Sequence, residues 1–178
     1  DPANFQGKYY SITDAPSAPF PVQKPHPPII VGGTGERTMR VAAKHATDYN
    51  QIAPRLAVQD NLLKFRNICM DEGRDPDELR YSVQVQLKMS DDRDEVEAYV
   101  GRFANLVANA PSEGLSKHYQ SPDAQARDQL LWGSSEQVAD QVGRYIDVGV
   151  NHFIIMTPRP FDRSMMERFA DKVVGQFK

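Results

Sequence analysis

The sequence predicts an α/β fold in which parallel strands are joined by helices, and three observations lead there. Apolar runs too short for helices, at residues 29–31 and 153–156, read as strands buried on both faces of a parallel sheet. Between such runs, apolar residues recur at helical spacing. Each change of period is marked by a glycine or a capping residue. Strands separated by helices imply a parallel sheet with right-handed crossovers.

In chain order, residues 1–28 form a proline-rich lead-in, with seven of the 13 prolines at positions 2, 16, 19, 21, 25, 27 and 28. Proline removes a backbone donor and biases its predecessor to extended shapes, so no helix is expected there. Within the lead-in, "FQGKYYSI" (5–12) reads as a small hairpin around Gly7. Residues 29–178 carry the strand–helix units. A strand at 29–33 feeds a helix whose apolar stripe is Met39, Ala42, Ala43, Ala46 and Tyr49. A second helix from about Pro54 buries Val58, Leu62, Phe65 and Cys69 and stops at Gly73. In "YSVQVQLKM", Val83, Val85, Leu87 and Met89 alternate with Ser82, Gln84, Gln86 and Lys88, which predicts a strand at 82–89 with one apolar and one polar face. Asp91 or Asp92 caps a helix to about Asn109, and "APSEGLSKHYQSPD" (110–123) reads as a long loop. Ser134 and Gln137 make a capping box for a helix with Val138, Val142 and Ile146 inward, ended by Gly149. A strand at 153–157 follows. The last helix, capped by Asp162, is expected to bury Met166, Phe169, Val173 and Phe177.

Composition excludes several functions. A chain of 178 residues with 40% hydrophobic and 25% charged residues fits one soluble domain. The net charge of -3 gives no basic surface for nucleic acid. No apolar run reaches the roughly 20 residues of a membrane helix, so the expected location is cytoplasmic, with no membrane partner. The single cysteine, Cys69, lies on an apolar helix side and reads as core. No histidine pair has metal-ligand spacing, and no metal is expected.

The most informative stretch is Gly32-Gly33-Thr34-Gly35, between a strand and a helix starting at about Glu36. Such a turn gathers free N–H groups on one point and makes an anion site, and glycine lets a phosphate approach the main chain. The plainer reading is a tight turn that binds nothing. It is not a dinucleotide fingerprint, because the third glycine would fall at Thr38 and no strand is expected after Tyr49. It is not a P-loop, because no G-x-x-x-x-G-K-[ST] occurs. What remains is a strand-end phosphate site of a (β/α)8 barrel.

The block "PVQKPHPPIIVGGTGER", with "FQGKYYSITDAP", "GRDPDEL", "GSSEQVADQV" and "GVNHFII", resembles the C-terminal part of the luciferase-like flavin-dependent oxidoreductases, most closely the branch that uses the deazaflavin coenzyme F-420. The resemblance implies the C-terminal part of a TIM barrel, with Gly32, Gly33, Thr34 and Gly35 receiving the cofactor phosphate and Arg37 as its charge partner. It implies hydride transfer between F-420 or FMN and a small organic substrate, with an FMN-dependent monooxygenase as the alternative. A non-catalytic binding module that keeps the scaffold is a third reading. Only three strand–helix units can be counted, whereas a barrel needs eight. The sequence also opens at Asp1 without methionine. The expectation is therefore a missing N-terminal half of the barrel, or a homo-oligomer partner, covering two open sheet edges. The isolated piece is expected to associate, to bind cofactor weakly and to be inactive alone, and no catalytic residue is named.

In a barrel the polar face of the 82–89 strand points inward, placing Gln86 and Lys88 near the mouth; in an open sheet that face is merely solvated. Arg159, just past the last strand, can hold an anionic tail or be a plain loop arginine. His26, His45 and His152 read as structural, and the aspartates and glutamates as solvation.

Overall fold

The computed structural model describes residues 2–16, 18–109 and 118–177. The expected loop at 110–123 lies mostly outside them. A hairpin of β1 (Ala3–Gln6) and β2 (Ser11–Ala15) comes first, as expected, with Phe5, Tyr9 and Tyr10 exposed on it. Then follow β3 (Ile30–Gly32), α1 (Glu36–His45), β4 (Asp48–Gln51), α2 (Arg55–Asp71), β5 (Arg80–Met89), α3 (Arg93–Asn109), α4 (Pro122–Gln129), β6 (Leu130–Gly133), α5 (Ser135–Asp147), β7 (His152–Met156) and α6 (Arg163–Lys172).

All five strands from β3 onward are parallel, in the order β3-β4-β5 with β6 and β7 both against β5. The arrangement around β5 follows from its hydrogen bonds. The N–H groups of Arg80 and Ser90, two even positions, donate to Thr47 O and Gly133 O at 3.0 Å each, so β4 and β6 occupy successive stretches of one edge. Asn151 N–H donates to Tyr81 O at 3.0 Å, which puts β7 on the other edge. The outer edges of β3 and β7 have no strand partner among the described residues.

Two strands, β4 and β6, were not expected. The sequence of β4, "DYNQ", has no apolar run, and Tyr49 continues the 42–46 spacing of α1 closely enough to pass as helix. The chain instead leaves the helix at Ala46, where Thr47 exchanges hydrogen bonds with Ile29: its N–H donates to Ile29 O (2.9 Å), and Ile29 N–H donates to its Oγ1 (2.9 Å). Arg74 then closes the C-terminal end of α1 by donating to Ala43 O (3.0 Å) and Ala46 O (2.7 Å).

Registry puts odd positions on one face of the sheet and even positions on the other. Tyr49, Tyr81, Val83, Val85, Leu87 and Met89 join Met39, Ala42, Phe65, Val138 and Phe169 from the helices in one core. Tyr49 stacks on Phe65 with ring centroids 4.0 Å apart. The even face carries Ile30, Asp48, Asn50, Ser82, Gln84, Gln86 and Lys88. Because little covers this face at β3 and β7, neither strand is buried on both sides as expected: Ile30 is 48% and Met156 43% exposed. A second small core, Val96, Val100 and Leu130 with Tyr99, Phe103 and Trp132, sits where α3 meets β6.

The caps behave as expected. Ser134 and Gln137 form a capping box on α5, Asp162 Oδ1 accepts from Met165 N–H (3.1 Å), and Asp92 Oδ1 accepts from Asp94 N–H (2.9 Å). Gly73 ends α2 with φ +74. Two inward faces carry Val138, Val142, Phe169 and Val173 as expected but differ at single positions. On α5 Tyr145 is buried and Ile146 exposed, and on α6 Met165 is buried while Met166 is half-buried and Phe177 exposed. The chain leaves α-helical geometry after Lys172, which rotates Phe177 off the stripe. Among the described residues no helix is long and apolar enough to cross a membrane, and no cluster of metal-ligating side chains occurs.

Candidate functional site

The glycine turn stands at the C-terminal end of β3, where it is fixed from below. Gly33 N–H donates to Asn50 O (3.2 Å), and Gly33 O accepts from the Tyr49 hydroxyl (2.7 Å). Tyr49 is fully buried, and burial drives its hydroxyl well above the ordinary range, so it stays a neutral donor. At Gly33 φ is +137, and an added Cβ would lie 3.1 Å from Thr38 Cγ2; glycine is needed there for the chain's own sake.

Gly35 is different. It is the N-cap of α1 at φ -75 and ψ 142, a conformation any residue adopts, and an added Cβ would meet nothing within 4 Å. Among the described residues nothing requires glycine at that point. No side chain caps the helix, and the first helical bond is Met39 N–H to Gly35 O (2.9 Å). The N–H groups of Glu36, Arg37 and Thr38 therefore precede the ladder and face out of the first turn. Thr34 and Arg37 are exposed beside them. Glu36 would oppose an anion here, yet it is drawn sideways by Arg40 (3.1 Å) and Lys64 (3.5 Å). The Arg40 hydrogen bond, then the Lys64 charge, hold its carboxyl below the usual range. Uncapped amides, open space at Gly35 and an exposed guanidinium together fit a phosphate.

The other predicted residues lie at the same end of the sheet but do not converge on the turn. Lys88 ion-pairs with Glu95 of α3, and Gln86 Oε1 accepts from the Tyr99 hydroxyl of the same helix. Registry pairs Gln86 with Leu130 and Lys88 with Trp132, so these four share a face, and α3 packs upon it through Val96, Val100 and Tyr99. The polar face of β5 is thus covered at its far end by α3 rather than left to solvent. Lys88 first, with Ser90 assisting, holds the Glu95 carboxyl below its ordinary value. Arg159 is exposed in the β7–α6 connection.

Because β4 was not expected, its site-side residues were missed. Asn50 lies in register between Gly32 and Ser82 and accepts from the Ser82 hydroxyl at 2.9 Å, placing an amide beside the turn. At the opposite end of the sheet, Asp48 is fully buried against Arg80, with Nε 2.7 Å and Nη2 3.1 Å away, and His152 Nδ1 lies 3.6 Å off. The carboxylates are not all solvation, then: Asp48 is a buried structural anion, paired with Arg80 by a strand register that no local signal in the sequence announces.

Against known proteins, the sequence profile described as luciferase-like monooxygenase matches residues 1–152. An F-420-dependent secondary alcohol dehydrogenase, solved in complex with an F-420–acetone adduct, is 18% identical with TM-score 0.78 over 99% of this chain and 56% of that one. A coenzyme F-420-dependent tetrahydromethanopterin reductase from Methanopyrus kandleri is 17% identical with TM-score 0.77, over 98% and 58%. An EDTA monooxygenase from Chelativorans sp. BNC1 is 17% identical with TM-score 0.69, over 98% and 49%. The likeness is one of fold, and the chain spans about half the length of the structures it matches.

Proposed function

The chain belongs to the luciferase-like monooxygenase family, and from that premise we propose that it supplies the phosphate-holding side of a cofactor site in an oxidoreductase that moves a hydride between coenzyme F-420 and a small organic substrate. Its α/β fold with a parallel sheet corresponds to about half of a luciferase-like TIM barrel. The observation that carries the reading is Gly35, a glycine that the chain's own geometry does not need, beside three outward amides.

In this reading Gly32, Gly33 and Gly35 let the phosphate reach the main chain. The N–H groups of Glu36, Arg37 and Thr38 donate to it, Thr34 adds a hydroxyl, and the Arg37 guanidinium neutralises charge. The bound flavin or deazaflavin ring supplies the hydride chemistry. Gln86, Lys88 and Arg159 form the rim of the mouth. Lys88 acts there through its pair with Glu95, which fixes α3 over the rim, and the exposed Arg159 meets an anionic group. The outer edges of β3 and β7 are covered by the rest of a barrel or by another chain, since only closure removes sheet edges.

FMN with monooxygenase chemistry is the second reading, because the turn serves either phosphate. F-420 is preferred for the resemblance of "PVQKPHPPIIVGGTGER" to that branch. Titrating the chain with F-420 and FMN side by side, by ligand fluorescence, tests the proposal. F-420 is expected to bind more tightly, and Gly35→Ala to weaken it about tenfold, the equivalent of roughly 1.4 kcal/mol. Binding of neither at high micromolar concentration would overturn both readings.

A further inference from the structure

A second cavity, of about 350 Å³, lies away from the glycine turn, between α2, α4, β6 and α5. That volume is in the range of small-molecule pockets. Its wall includes three aromatic side chains, Tyr119, Trp132 and Tyr145, with Leu130 and Ala124 adding to the apolar surface. Three arginines and a single carboxylate also line it: Arg55, Arg127, Arg144 and Asp128.

The charges are not equally free. Arg127 is used up: Nη1 and Nη2 donate to both oxygens of Glu97 (3.2 and 2.6 Å) and Nε to Asp123 (2.8 Å), while its guanidinium lies over the Trp132 ring at 4.9 Å. Asp128 is equally committed. Its Oδ2 accepts from Leu56 N–H (3.0 Å) and from the Tyr119 hydroxyl, and its Oδ1 faces Arg55 Nε (3.3 Å). Arg55 and Arg144 differ. Among the described residues Arg55 is engaged only through Nε, and Arg144 only through Nη2 to Asp140 (2.6 Å), a pair on the surface. Among the described residues, two guanidiniums thus keep unused donors on a cavity whose one lining carboxylate is already engaged by Leu56, Tyr119 and Arg55. The polar backbone of the wall is also closed: Gln141 accepts from Trp132 N–H and donates to Trp132 O, and the Trp132 indole N–H donates to Arg127 O (3.0 Å).

We propose that this cavity binds a small aromatic carboxylate, its ring against Tyr119, Trp132 and Tyr145 and its carboxylate between Arg55 and Arg144. Planar guanidinium donors match a carboxylate, and an aromatic wall favours a flat body over an aliphatic chain or a free phosphate. No residue of the glycine turn takes part, so the proposal stands apart from the cofactor reading.

Trp132 is the chain's only tryptophan, which makes its emission a local reporter. The test titrates the chain with benzoate, with benzamide as its uncharged counterpart, and repeats both on Arg144→Gln. Arg144 is exposed and outside the core, so the variant should fold; circular dichroism checks that it does. The proposal expects a saturable change in Trp132 emission with benzoate, at least fivefold weaker binding of benzamide, and at least fivefold weaker benzoate binding in Arg144→Gln. A second cleft, at Ser90, Arg93 and Ser134, also touches Trp132 but not Arg144. Benzoate binding unchanged in Arg144→Gln would therefore assign the signal to that cleft and overturn the proposal. An equal response to benzamide, or no saturable response at all, would overturn it too.

Discussion

At the N-terminal ends of β4, β5 and β7 the chain turns its polar groups on one another, whereas at the C-terminal end of β3 it leaves them open. Asp48, Thr47, Arg80 and His152 meet across three strands, with Asp48 out of contact with water. At the other end Gly35 faces open space, and the first amides of α1 have no side-chain cap. The contrast follows from what each end must do. A buried carboxylate without partners costs several kcal/mol, so the first cluster has to close to be tolerated. Uncapped amides at a surface cost little while water solvates them, and they remain available to a ligand. In barrel enzymes the C-terminal ends of strands carry the chemistry and the N-terminal ends carry stability.

Substitutions that separate the two ends sharpen this contrast. The largest effect is expected for Asp48→Asn, which leaves Arg80 without its anion. With Arg80 half exposed, the loss is about 2 kcal/mol rather than the full penalty of a buried pair, read as a lower urea midpoint with unchanged cofactor affinity. A change in affinity of more than a few fold would break the separation. Acid tests the same group. Burial alone would raise the Asp48 carboxyl, but hydrogen bonds from Arg80 and Thr47 and the Arg80 charge hold it below its ordinary 3.8. A depressed carboxyl adds stability that is complete above the unfolded value and is lost as pH falls through the folded one. The urea midpoint of the parent chain should therefore fall more steeply below about pH 4 than that of Asp48→Asn; parallel curves would contradict this.

Gly33→Ala should act on both properties at once. It forces a side chain into φ +137 and against Thr38, costing about 1–2 kcal/mol of stability and displacing the turn that receives the phosphate. Gly35→Ala should leave the unfolding free energy from urea titration within about 0.5 kcal/mol of the parent while weakening cofactor binding. If instead it destabilised the fold as Gly33→Ala does, that glycine would be structural. The smallest effect is expected for Arg37→Gln, a few-fold loss of affinity that disappears at high salt, since Arg37 is an exposed charge.

What was legible in the sequence tracks what is local. The glycine turn, the alternation of β5, the capping box at Ser134 and the stop at Gly73 are each set by neighbours within a few residues, and each stands where it was expected. By contrast, β4 is held by non-local pairing. Asp48, Asn50 and Gln51 look like loop residues until Arg80, Ser82 and Val83 are laid beside them, some 32 positions further on. The same holds for Gln86 and Lys88, whose polar alternation was plain but whose cover, α3, folds back over them through Tyr99 and Glu95. The burial of β3 and β7 was overstated because an apolar run reports a strand's intended neighbours, and those for the even face are not among the described residues.

In the proposed function the open end of β3 holds the phosphate of the cofactor. The most direct measurement is the set of backbone amide shifts of the chain, by proton–nitrogen correlation NMR, as F-420 or FMN is added. The largest saturable shifts are expected on Gly33, Gly35, Glu36, Arg37 and Thr38, with the amides of Asp48, Arg80 and His152 unmoved. Saturable shifts centred elsewhere, with the amides of residues 33–38 unmoved, would contradict it.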